Sequence, residues 1–121
     1  MKKVTTSLVF LIALLTFGGV VFAESFTGTV PRFGGNLYTP TRIASGPIQQ
    51  VKVKYSEGNH NLYATVVDAA HNNMGEEEVF CTIGKWVNVK SGAYRGQDIA
   101  MMLESSIFQT NTTKVEFDVN W

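Results

Sequence analysis

The chain of 121 residues carries 10 Lys or Arg and 10 Asp or Glu residues, so its formal net charge is +0. No basic excess is available to neutralise phosphate groups, which argues against a nucleic-acid partner. Cys81 is the only cysteine, so no disulfide can form within the chain and stability must come from packing.

The N-terminal segment has the pattern of a secretory signal peptide. A basic start, Met1–Lys3, precedes the apolar run Val9–Phe17, and small residues at Val21 and Ala23 suit a signal peptidase. We predict cleavage after Ala23 and a secreted product that forms one domain over residues 24–121. The alternative is a membrane anchor, because about 20 apolar residues can span a bilayer. With cleavage, no stable membrane span would remain.

Alternation of apolar and polar residues with a period of two dominates the rest of the sequence, and no long stretch has a helical period. Short strands are predicted, in chain order, at residues 25–30, 48–55, 62–68, 79–83, 86–89, 98–104 and 113–121, with a few extended residues at 36–39. Pro31, Pro40 and Pro47 favour loops and edge strands in the first third. About seven short strands with regular breaks indicate a sandwich or a barrel, and we predict an all-β fold, a small antiparallel β-sandwich.

Two of these strands carry more specific expectations. In residues 48–55, the side chains of Val51, Val53 and Tyr55 should share one face. The turn cluster at 57–61 should join this strand to residues 62–68 as a hairpin. Because residues 62–68 have apolar groups on both faces, that strand should be central in its sheet.

The last segment, residues 113–121, alternates without interruption. Val115, Phe117, Val119 and Trp121 should point into the core and form its main strand. The intervening polar side chains should face water. Four large apolar side chains could contribute on the order of 6–12 kcal/mol before the entropy cost.

No motif of a catalytic, cofactor-binding or metal site is present, and we predict none of the three. His60, His71 and Cys81 lack the spacing of a zinc site. Cys81 is predicted to be buried and inert, with an intermolecular disulfide or a catalytic nucleophile as the alternative. The loop from Asp68 to Glu78 could offer oxygens to calcium, but a solvated loop is the simpler interpretation.

Aromatic residues in loops and short strands are the other candidates. Phe33, Tyr38, Tyr63 and Tyr94 could form an interaction surface, because aromatic anchors are common at interfaces. The alternative is that they fill the core or pair across neighbouring strands.

Several short segments carry a resemblance to known proteins: residues 25–31, 37–39, 42, 51–56, 92–94, 99–104 and 115–121. In their order they resemble a family of small exported proteins of Gram-positive bacteria, known mainly as a domain of unknown function. The chain is also distantly similar to lactococcin 972-type bacteriocins, which are secreted β-sandwiches with an aromatic C-terminal strand. It is longer than these and differs in its cysteine and acidic loop. Neither resemblance implies catalytic residues.

These observations lead to a functional prediction. We expect a secreted, non-enzymatic binding protein that acts at a bacterial cell envelope, on an envelope component or a protein, in the manner of a bacteriocin. A structural or adhesive component of the producer's wall or matrix is the alternative. A small secreted hydrolase is the second alternative, and it would need ionisable groups that converge in a pocket.

Overall fold

A computed structural model describes residues 23–75 and 78–121. The predicted signal peptide lies outside these ranges except for Ala23. Within them the chain forms nine strands and no α-helix: β1 (Glu24–Val30), β2 (Asn36–Tyr38), β3 (Arg42–Ile43), β4 (Ile48–Ser56), β5 (Leu62–Asp68), β6 (Val79–Cys81), β7 (Trp86–Lys90), β8 (Asp98–Ser105) and β9 (Thr113–Asn120). No helix in these ranges is long and apolar enough to cross a membrane.

The strands form two antiparallel sheets that pack face to face. The first sheet has the order β1-β9-β4-β7, and the second has the order β2-β8-β5-β6, with β3 also paired to β8. The predicted antiparallel β-sandwich is therefore confirmed. Strand β5 lies between β8 and β6, as its apolar faces indicated. The structure has two more strands than the sequence predicted, because β2 and β3 are too short to give a clear alternation.

Strand β9 is central in the first sheet, between β1 and β4. Val115, Phe117 and Val119 are buried between the sheets, and Trp121 is partly buried against the same core. The ring of Phe117 stacks on Phe26 of β1 with 5.4 Å between centroids. The best-formed amphipathic segment of the sequence thus supplies the middle of a sheet.

A cluster around Glu24 connects β1, β3 and the residue after β9. The carboxylate of Glu24 accepts hydrogen bonds from Arg42 Nε at 2.8 Å and from Trp121 Nε1 at 3.0 Å. The hydrogen bond from Arg42 lowers the pKa of Glu24. The ring of Trp121 meets Phe26 edge-on at 6.1 Å. This cluster holds β3 in a segment that the sequence predicted to be irregular.

The predicted hairpin between β4 and β5 is wrong. Strand β4 pairs with β7 and β9, whereas β5 pairs with β6 and β8, so residues 57–61 carry the chain from one sheet to the other. A short 3-10 turn at Glu57–Asn59 makes this crossing, with φ of 65° at Gly58 and 52° at Asn59. His60 Nδ1 then lies 2.8 Å from Thr113 Oγ1 at the start of β9. Turn residues indicate a reversal, but they do not determine the sheet in which the next strand pairs.

The orientation of Tyr55 also differs from the prediction. Pairing between β4 and β9 shifts register between Val53 and Tyr55, which marks a β-bulge. A bulge adds one residue to a strand and turns the following side chain to the other face. Val51 and Val53 are buried, whereas Tyr55 is 47% exposed on the outer face of the first sheet.

The strand registers define the two ends of the sandwich. Val30 pairs with Thr113, and Ser56 pairs with Val115, so the loops 31–35, 57–61 and 106–112 lie at one end. Ile48 pairs with Lys90, which places the loop 91–97 at the opposite end, together with Glu24 and Trp121.

Candidate functional site

The four aromatic residues singled out from the sequence do not form one surface. Phe33 lies in the loop after β1, and Tyr94 lies in the loop after β7, at the opposite end of the sandwich. Tyr38 and Tyr63 lie on the outer face of the second sheet, where both are partly buried. Tyr38 stacks on His71 at 3.8 Å between centroids, and Tyr63 meets Phe80 edge-on at 5.7 Å. These two aromatic rings pack within the protein, which leaves Phe33 and Tyr94 exposed.

Phe33 belongs instead to a compact feature that we call the apolar tip. It consists of Phe33, Ile107 and Phe108, which lie on two turns at one end of the sandwich. The main-chain N of Phe33 donates a hydrogen bond to Gln109 O at 2.7 Å, and Gly34 N donates one to Ser106 O at 3.0 Å. These bonds tie the two turns to each other.

A buried serine connects the apolar tip to the rest of the fold. The hydroxyl of Ser105, at the end of β8, donates a hydrogen bond to Pro31 O at 2.6 Å. The same hydroxyl accepts a hydrogen bond from Gly34 N at 3.2 Å. The turns are therefore attached to the end of a central strand, and the side chains they carry have a defined position.

All three side chains of the apolar tip are exposed to solvent. The exposed fractions are 59% for Phe33, 66% for Ile107 and 84% for Phe108. Phe33 also has a φ of 57°, in the left-handed region. That region costs a bulky residue roughly 1–2 kcal/mol. A strained backbone that holds an aromatic ring in water is a feature that points to function rather than to stability.

Basic side chains lie at the same end of the sandwich as the apolar tip. The guanidinium of Arg32 lies over the ring of Phe33, 5.3 Å from its centroid. Lys114, at the start of β9, is exposed at the same end. Glu57 also reaches this end, where its carboxylate accepts a hydrogen bond from the main-chain N of Lys114 at 3.3 Å. The tip is thus apolar at its centre, with Arg32 against the ring of Phe33 and Lys114 at the same end of the sandwich.

The residues considered for metal binding lie apart from one another. In the ranges 23–75 and 78–121, no group of three or more His, Cys, Asp or Glu side chains could hold a metal ion. Cys81 is buried, and burial raises its pKa to about 12, so the thiol stays protonated at neutral pH.

Asp68, the first residue of the predicted acidic loop, uses its oxygens within its own turn. Its Oδ1 accepts hydrogen bonds from the main-chain N of Ala70 and of Asn72, each at 2.9 Å. The bond from Asn72 is the main cause of the lowered pKa of Asp68. Glu76 and Glu77 of the same loop lie outside the described residues.

A pair of carboxylates lies on the outer face of the second sheet. Burial, followed by the hydrogen bond and the negative charge of Glu78, raises the pKa of Glu104 to about 7. The unfolded chain would release this proton near pH 4.5. Between these two values the folded protein holds a proton that the unfolded chain lacks. The free energy of unfolding must therefore fall as the pH rises through this window.

Replacing Glu104 should remove that pH dependence. We expect Glu104→Gln to match the wild type near pH 5 and to exceed it near pH 8. Because Glu104 is partly exposed and solvent screens its charge, the expected gain at pH 8 is about 1 kcal/mol. In thermal melts, this gain should appear at pH 8 as a melting temperature about 4–8 °C above that of the wild type. Glu116→Gln on the exposed face is the control. Its melting temperature should differ from that of the wild type by the same amount at pH 5 and at pH 8. Equal melting temperatures of wild type and Glu104→Gln at pH 8 would contradict this explanation.

Comparisons with known proteins inform the fold. No protein-family model matches the chain, and no curated protein matches it. The chain is similar in structure to a Yersinia pseudotuberculosis-derived mitogen, with a TM-score of 0.58 and 10% identity over 84% of this chain and 86% of that one. It is also similar to PirA, with a TM-score of 0.48 and 9% identity over 78% and 90% of the two chains. At such identities the first likeness supports the sandwich fold alone, and the second carries no argument.

Proposed function

We propose that this protein is an exported, non-enzymatic binding protein that attaches to the lipid surface of a cell envelope through its apolar tip. One observation carries the proposal: two hydrogen-bonded turns hold Phe33, Ile107 and Phe108 in solvent at one end of a rigid sandwich. Large exposed apolar groups rimmed by polar residues are typical of protein or membrane interaction sites.

The exposed area is sufficient for a reversible attachment. The apolar tip exposes on the order of 300 Å² of apolar surface, since one aromatic side chain alone offers about 150–250 Å². At about 25 cal/mol per Å², complete burial would contribute about 7 kcal/mol. Lost freedom on association costs at least about 4 kcal/mol. The remainder, at most about 3 kcal/mol, corresponds to weak, reversible binding that is weaker than that of a single acyl chain.

The shape of the tip favours a lipid surface over a protein partner. An exposed fraction of 84% means that Phe108 protrudes beyond its neighbours. A protein partner would have to supply a matching pocket, whereas a lipid interface deforms around a protruding ring. Arg32 and Lys114 can meet anionic headgroups, at about 1 kcal/mol for each basic residue near the surface.

The predicted bacteriocin-like action stays a prediction that rests on the resemblance. A lipid-binding tip suits an antagonist that reaches the membrane of another cell. It suits an adhesive role on the producer's own envelope as well. The proposal assigns no catalytic step to either role.

Spin labels at the two ends of the sandwich test the proposal. Thr110→Cys places a label directly after a tip turn, and Arg95→Cys places one at the opposite end; both positions are exposed. Cys81 should not react, because it is buried and its pKa is about 12. Vesicles of phosphatidylcholine with phosphatidylglycerol are then added to each labelled protein.

We expect the label at position 110 to gain contact with oxygen dissolved in lipid and to lose contact with a water-soluble nickel complex. The label at position 95 should stay in water. Omitting phosphatidylglycerol should weaken the change, because Arg32 and Lys114 lose their anionic partners. The proposal fails if neither label leaves water, or if the label at position 95 enters the lipid.

A further inference from the structure

The outer face of the first sheet carries a groove that the apolar tip does not use. It lies across β1, β9 and β4 and has a volume of about 320 Å³. Its polar walls come from Thr27, Thr29, Lys114 and Glu116, and Tyr55 supplies an aromatic side. This size is at the lower end of the range for small-molecule sites.

Strand register arranges these side chains as a grid. Thr27 pairs with Glu116, and Glu116 pairs with Tyr55, so the three form one row across three strands. Thr29 and Lys114 form the next row. Neighbouring strands are about 4.8 Å apart, so a row of three spans about 10 Å. A carboxylate, an ammonium group and two hydroxyls are thus offered on one surface beside a ring.

The bulge in β4 creates this arrangement. Without the register shift after Val53, the side chain of Tyr55 would point into the core like those of Val51 and Val53. Bulges are common where a strand must redirect a side chain next to a functional site. Here the redirected side chain is that of Tyr55, which forms the aromatic wall of the groove.

The polar side chains of the groove are available to a ligand. Nearer the other end of the same face, Asp118 accepts a hydrogen bond from Ser25 Oγ at 2.7 Å and pairs with Lys54 Nζ at 2.9 Å. In contrast, no hydrogen bond or ion pair among the described residues engages the side chains of Thr27, Thr29, Lys114 or Glu116.

We propose that this groove binds a short saccharide. Sugar hydroxyls both donate and accept hydrogen bonds, and the groove offers a carboxylate that accepts, an ammonium group that donates and two hydroxyls that do both. The apolar face of a sugar ring can pack on Tyr55. A hydrocarbon ligand would leave the charged groups without partners, which the lining does not favour. The site contains none of the three side chains of the apolar tip and needs no lipid, although Lys114 lies at the same end of the sandwich.

Nuclear magnetic resonance titration of the purified protein tests this site in the absence of lipid. The probes are N,N′-diacetylchitobiose, maltose and lactose, each raised to about 10 mM, which is sufficient to detect a dissociation constant near 1 mM. At least one of them should shift the main-chain amide signals of Thr27, Tyr55 and Glu116 in a saturable manner. The inference is overturned if none of the three probes does so.

Variants distinguish the groove from the rest of the surface. Tyr55→Ala should weaken binding of the active probe by at least about tenfold, whereas Tyr55→Phe should keep most of it because the ring remains. Trp86→Ala removes another exposed aromatic side chain from the same face and should have no effect. Phe108→Ser, which alters the apolar tip, should bind the sugar like the wild type. Equal binding by Tyr55→Ala and the wild type would also overturn the inference, whatever the result with lipid.

Discussion

Phe117→Ala should lower the free energy of unfolding by about 3–5 kcal/mol, as is usual when a buried phenylalanine is truncated. Phe117 is 1% exposed, lies in the central strand of the first sheet and stacks on Phe26. Its loss leaves a cavity between the sheets that neighbouring strands cannot close. Because no disulfide supports the fold and net stability is commonly about 5–15 kcal/mol, much of the stability would be lost.

Urea denaturation at fixed pH measures this effect, and Phe108→Ala provides the matched control. The same side chain is removed in both variants, but Phe108 protrudes into solvent. We expect the control to differ from the wild type by less than about 0.5 kcal/mol. If both variants had the same midpoint, β9 would not be the centre of the core.

The sandwich could be predicted because strand alternation is a local property. In β9 each second side chain is large and apolar, so one face had to be buried wherever the strand was placed. The sequence predicts residues 98–104 as a strand, and β8 is buried on both faces. Both predictions depend only on neighbouring residues.

The pairing of strands could not be predicted in the same way. Residues 57–61 look like a hairpin turn, yet they cross between sheets, because the contacts that decide this involve Thr113 and Lys114 far along the chain. The bulge at Tyr55 likewise depends on its pairing with Glu116. Long-range partners leave no periodic signal in a single sequence.

Only part of the candidate site was recognisable. The sequence marks Phe33 as an aromatic residue in a loop, but it does not single out Ile107 or Phe108 as interaction residues. The two turns meet only because β1 and β8 end at the same end of the sandwich. Adjacent apolar residues between turn-forming polar ones, as in residues 105–112, were the available signal.

A second large effect is expected on binding to membranes. Phe33→Asn combined with Phe108→Ser removes most of the apolar tip. We expect its partition onto vesicles to fall by at least about 100-fold, because more than half of the roughly 7 kcal/mol from burial is lost. The fold should be unharmed, because both side chains are exposed and asparagine tolerates the left-handed φ of position 33 better than phenylalanine does.

Vesicle flotation of this double variant, beside the wild type, is therefore the most direct measurement of the proposed function. Tyr94→Ser is the matched control, since Tyr94 is an aromatic side chain with 69% exposure at the opposite end. The wild type and Tyr94→Ser should float with phosphatidylglycerol-containing vesicles, and the double variant should stay at the bottom of the gradient. Flotation of the double variant at the wild-type level, or equal loss in Tyr94→Ser, would show that Phe33 and Phe108 do not attach this protein to lipid.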